Sequence, residues 1–143
     1  MTSLRERVEA EFEHIDRTLA ALPEDRSCSK LSALELAGVA ALLHNFYTSV
    51  ENILKHTVQD RNLDLPEGES WHRDLVNLAV SEQLIQESTA EKLRKFLAFR
   101  HFFVHAYALD LIPERLAPLS SAAGEVLKDL RRDLENIAGE DRV

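Results

Sequence analysis

The sequence predicts an all-α fold, an up-and-down bundle of about five helices. Apolar residues recur at three- and four-residue spacing through several long segments. Only four glycines and four prolines interrupt the 143 residues. No segment shows the strict alternation of a half-buried strand. The length fits one domain, 1–143, long enough to bury a core without disulfide or metal staples.

The first helix is capped by Thr2 or Ser3 and runs to about Leu22. Leu4, Val8, Phe12, Ile15 and Leu19 form one apolar stripe, and Pro23 ends it. Pro23 to Lys30 reads as a polar turn. The second helix opens at Ser32, with Glu35 at the spacing of a capping box. It continues through Leu36, Val39, Leu43, Phe46, Val50 and Leu54 to about Arg61, with Gly38 offering a place for close helix approach. Asn62 to Ser70, with Pro66 and Gly68, is an exposed loop. Trp71 starts a shorter helix through Leu75, Leu78 and Leu84. Ser88 or Thr89 caps a fourth, expected to end near Leu111. Pro113 stands at or just before the start of the fifth, which carries Leu116, Leu119, Val126, Leu130, Leu134 and Ile137. Gly139 to Val143 is expected to fray.

The lone Cys28 excludes an internal disulfide and points to a reducing compartment. No apolar run reaches the roughly 20 residues of a membrane span, and the charged N-terminus is unlike a signal peptide. A soluble, cytoplasmic protein is expected. The net charge of -8 argues against a surface that is basic throughout. Its distribution is uneven, however. Lys92, Arg94, Lys95, Arg100, His101 and His105 fall within 14 residues, whereas many acids lie in 6–25 and 129–141. Two readings follow: a small basic cleft on an acidic body, or an acidic body built to meet a basic partner.

Inside the fourth helix, the nine residues Phe99 to Tyr107 hold an arginine, two histidines, a tyrosine and three of the six phenylalanines. Arginine matches phosphate geometry and imidazole titrates near neutral pH, so this stretch has the residue types to hold and cleave a phosphodiester. At about 100° per residue, Phe96, Phe99 and Phe103 share a core-facing stripe. Arg100, His101 and His105 occupy the opposite wedge, with Tyr107 at its border beside Arg100. About 140° separates Arg100 from His105, too much for one ideal helix to close both on a small group. His101 and His105 also have the spacing of helical zinc ligands, but Phe102, Phe103 and Val104 between them offer no carboxylate. Glu11 and His14 match half of a di-iron motif with no second half. No metal or other cofactor is expected.

The order Arg100-x-x-x-x-His105-x-Tyr107 resembles the signature of the HEPN superfamily. More narrowly, it resembles the HepT-type ribonuclease toxins encoded beside a minimal nucleotidyltransferase (MNT) antitoxin. His101 stands where that family often has a polar residue. Asn45-Phe46-Tyr47-Thr48-Ser49-Val50-Glu51 with Ile53-Leu54-Lys55 is similar to its second helix, and Trp71-His72-Arg73-Asp74-Leu75 to the start of its third. The resemblance covers about Leu31 to Leu111.

It implies a HEPN-like bundle dimerising through the motif helix, so that two copies of Arg100 and His105 face each other. The implied activity is metal-independent endonucleolytic cleavage of RNA as the toxin of a toxin–antitoxin pair. His105 would act as acid and base and Arg100 would stabilise the transition state. His101 and Lys95 would help seat RNA. Glu51 would hold Arg100, unless it is simply a solvated glutamate. Tyr107 is the implied acceptor of AMP from the MNT-type antitoxin, in a homodimer or a larger hetero-oligomer. The alternative is a non-catalytic helical module that binds nucleotide and completes a nucleotidyltransferase complex. Each residue also has a plain structural reading: surface ion pair for Arg100, core or surface histidine for His105, half-buried bundle tyrosine for Tyr107.

Overall fold

The computed structural model describes residues 3–140, with the backbone alone for Ala108 and residues 136–140. It is an all-helical bundle: α1 (Leu4–Ala20), α2 (Ala33–Asp60), α3 (Trp71–Ser81), α4 (Glu87–His105), a short 3-10 turn (Ala108–Asp110) and α5 (Pro113–Glu140). Among the described residues there is no strand. Nor is any helix among them long and apolar enough to cross a membrane.

The bundle is built around α2, which touches every other helix. Leu43, Phe46, Val50, Ile53, Leu54 and Val58 on it are fully buried. Such a helix is apolar over more than one face because it has neighbours on more than one side. Phe46 meets Phe96 of α4 edge to face, with ring centroids 5.1 Å apart. Ile15 of α1, Leu75 of α3, Leu93 of α4 and Leu116 and Leu130 of α5 complete the core.

Helix ends show which local signals hold. Ser3 accepts the Glu6 N–H at 3.1 Å and caps α1; Thr2 lies outside the described residues. Ser32 and Glu35 form the predicted capping box, at 3.1 and 3.0 Å. Asn62 and Gln83, both at φ 59°, terminate α2 and α3 in the left-handed conformation. In each case the next amide reaches back into the last turn, Leu63 to the Val58 carbonyl and Leu84 to that of Ala79. Leu84 is therefore beyond α3 rather than in it, and is buried.

Several sequence expectations are corrected. α4 begins at Glu87, ahead of Ser88 and Thr89, and its N-cap Gln86 makes no side-chain cap of its own. The cap comes from α5: Asp133 Oδ2 accepts the Gln86 N–H at 3.1 Å and the Thr89 hydroxyl at 2.7 Å. α4 ends at His105, not near Leu111. Asp110 provides the reason, since its carboxylate accepts the Tyr107 N–H at 3.1 Å while its own N–H donates to the Tyr107 carbonyl at 2.9 Å. The chain bends there and returns Leu111 to the core. Gly38 faces open space, with nothing within 4 Å of an added Cβ, so it permits no close approach. Cys28 lies on the turn between α1 and α2, but its side chain is buried, and burial pushes its thiol up. α5 stays helical through Glu140, past the expected start of fraying at Gly139. Residues 141–143 and the Ile137 side chain lie outside the described set.

Candidate functional site

The site forms where α4 ends and α5 begins. His101 and His105 lie one turn apart on the same side of α4, with ring centroids 5.0 Å apart, and both are exposed. They open onto a shallow depression lined also by Ala98, Phe102, Ala106, Asp110 and Arg115. Arg115 comes from the first turn of α5, and its guanidinium lies 4.0 Å from the centre of the Phe102 ring. On the core side, Phe96 and Phe99 are buried as the wheel predicts, and Phe103 stacks on Phe99 at 5.8 Å. The buried stripe fixes the rotation of the helix and so aims the histidines outward.

Arg100 is on the other flank. It is half-buried and close enough to His44 and Tyr47 of α2 for its charge to act on both. Burial first, and the Arg100 charge second, hold the His44 imidazole below its ordinary value. Burial, reinforced by the Glu51 charge, pushes the Tyr47 phenol far above its ordinary value. The Tyr47 hydroxyl is buried without a hydrogen-bond partner among the described residues.

Tyr107 leaves the helical wheel altogether. Ala106 is extended, at φ -92° and ψ 151°, so Tyr107 does not sit beside Arg100 as an ideal helix would place it. Its side chain is 81% exposed, and Leu109, Val104 and Ile112 around it are exposed as well. Lys95 is exposed earlier on α4 and does not line the depression.

Glu51 is neither solvated nor paired with Arg100. It is 3% exposed, and the Nδ1 of His72 lies 2.6 Å from its Oε2. His72 in turn stacks beside Trp71, with Lys55 4.2 Å from the centre of the indole ring. Glu51 therefore ties α2 to α3, and its burial removes it from the solvent-facing surface.

The cationic run on α4 is also thinner than its sequence. Lys92 is paired with Glu125 and Asp129 of α5, and Arg94 with Glu87. Among the described residues no ion pair reaches Lys95, Arg100, His101 or His105. Nor does any group of three or more His, Cys, Asp or Glu among them come together as a metal site.

Sequence reading missed Arg115, Asp110 and His44. For Arg115 a signal existed. Pro113 fixes the start of α5, and the short connection after His105 obliges its first turn to lie near the end of α4.

The sequence model of the family described as HepT-like protein matches residues 38–140. The chain belongs to the HepT-like family. The matched span includes most of α2 and all of α3, α4 and α5, so both flanks of the site lie inside it. No curated protein matches this HepT-like chain in sequence. A solved structure, the cytosolic protein of unknown function YutE from Bacillus subtilis, is similar to it with a TM-score of 0.75 at 16% identity. That similarity covers 96% of this chain and 92% of YutE, and it speaks for the shared fold.

Proposed function

We propose that this HepT-like protein acts over 1–143 as one domain and is the toxin of a toxin–antitoxin pair. Its activity is metal-independent endonucleolytic cleavage of RNA. The observation that carries the reading is the pair of exposed imidazoles of His101 and His105 at the end of α4, unpartnered among the described residues and beside an arginine. Neutral imidazole accepts a proton and imidazolium returns one near neutral pH. His105 takes the proton of a ribose 2′-OH as its oxygen bonds to the neighbouring phosphorus. The P–O5′ bond breaks, and an imidazolium, supplied by the His105 of a second protomer, protonates the leaving 5′ oxygen. Products carry 2′,3′-cyclic phosphate and 5′-OH ends. His101 and Lys95 help seat the RNA.

Arg100 stabilises the charge that develops on phosphorus. Because Arg100 and His105 lie on different flanks of one α4, the reading pairs two protomers through that helix. The exposed Val104 and half-buried Phe103 give such a pairing apolar surface. Glu51 supports this machinery indirectly, by tying α2 to α3 and setting its charge near Tyr47.

Silencing belongs to an MNT-type nucleotidyltransferase antitoxin that binds the toxin, modifies it, or both. In the modification the Tyr107 hydroxyl attacks the α-phosphorus of ATP, an ester bond forms and pyrophosphate leaves. The 81% exposure of Tyr107 supports its role as acceptor. Added AMP places charge and bulk beside His105.

The separation of Arg100 from the histidines favours a second reading, a helical module that binds nucleotide phosphates in a nucleotidyltransferase complex without cutting RNA. A digest of RNA by the purified protein in EDTA, with end-group analysis, separates the two. Cleavage leaving 2′,3′-cyclic phosphate is expected. Intact RNA, with Tyr107 shown unmodified by mass spectrometry, would favour the module.

A further inference from the structure

We infer that Arg115 of α5 is a substrate-binding residue that holds an RNA phosphate beside His101 and His105. This rests on the ribonuclease reading and adds to it a residue outside the motif helix. Within one protomer, the arginine that shares a depression with the histidines is Arg115, not Arg100. Arg100 instead presents its charge to His44 and Tyr47.

Three features suit Arg115 to an anion. Its guanidinium rests over the Phe102 ring at 4.0 Å, which restrains the side chain while consuming none of its five N–H donors. It makes no ion pair among the described residues, whereas Lys92 and Arg94 do. The acid sharing the depression, Asp110, has one carboxylate oxygen engaged by the Tyr107 amide. A phosphodiester is the ligand class that fits. It is a tetrahedral monoanion that a guanidinium grips with two parallel hydrogen bonds, and an RNA strand bringing its 2′-OH to His105 carries another phosphate one nucleotide away.

Fluorescence anisotropy tests this with a 2′-O-methylated oligoribonucleotide, which has no free 2′-OH and is not cut. Wild type, Arg115→Gln and Arg115→Lys are compared over a salt series, with melting curves to check the fold. Arg115→Gln is expected to weaken binding about tenfold and to flatten the salt slope by about 0.7, the loss of one phosphate contact on a single strand. Arg115→Lys is expected to keep the slope and recover most of the affinity. Arg115→Gln binding within about twofold of wild type, with an unchanged slope, overturns the inference. If wild type still cleaves RNA in that case, the ribonuclease reading stands without Arg115. A wild type that neither binds nor cleaves overturns both.

Discussion

In the first half of α4, Thr89, Lys92 and Arg94 are each tied to another side chain, two of them to α5. In the second half, the side chains of Arg100, His101 and His105 have no hydrogen-bond partner among the described residues. The two halves carry similar residue types on one helix. They differ in what surrounds them. A polar group that has found its partner holds the bundle together, and replacing it costs stability. A polar group left at least partly exposed and unpaired is available to a ligand, and on the proposed function replacing it costs activity. The Glu51–His72 pair belongs with the tied half: largely buried, bonded at 2.6 Å and part of the packing of α2 on α3.

The largest stability effect is expected at Asp133. Asp133→Ala removes the acceptor of both the Gln86 N–H and the buried Thr89 hydroxyl, at a cost of about 2–3 kcal/mol by chemical denaturation. Asp133→Asn, which keeps an acceptor oxygen, is expected to lose roughly half as much. An unchanged denaturation midpoint in Asp133→Ala would erase the distinction between the halves.

A smaller effect comes from pH. His44 and His56 are both held below the ordinary histidine value, chiefly by burial. Above about pH 6.5 both are neutral whether folded or unfolded, and they add no pH dependence. As pH falls below that value, the unfolded chain takes up protons that the folded chain resists, so stability falls until the lowered folded values are passed. Thermal melts from neutral to mildly acidic pH are expected to show this decline, and His44→Gln to flatten part of it. A slope unaltered by His44→Gln would mean that the imidazole beside Arg100 is not held neutral.

The smallest stability effect is expected just past the free half, at Tyr107. Tyr107→Phe alters an exposed side chain whose amide, not its hydroxyl, bonds to Asp110, and its stability should stay within about 0.5 kcal/mol of wild type. The same variant should gain no AMP from nucleotidyltransferase and ATP, as read by intact mass. Modification that persists would place the acceptor elsewhere.

The sequence carried local signals well. The apolar stripe on α2, the Ser32–Glu35 box and Pro113 at the head of α5 each act within a turn or two of chain, and each appears as read. Signals that act through space were not legible. Nothing near Gln86 announces a cap lying 47 residues away on Asp133. Nothing in the wheel of α4 foretells that Asp110 will pull the Tyr107 amide out of the helix. Of the candidate site, the outward aim of His101 and His105 followed from the phenylalanine stripe opposite them. The burial of Glu51 against His72 and the arrival of Arg115 beside Phe102 depend on how helices pack, which periodicity does not encode.

The proposed function places chemistry, and little of the fold's stability, at the free end of α4. The rate of RNA cleavage by His105→Ala, compared with wild type at matched melting temperature, tests it most directly. A fall of about 10²–10⁴-fold with an unchanged melt is expected, the range for removing a general acid–base group. Equal cleavage by the two folded proteins would contradict the account.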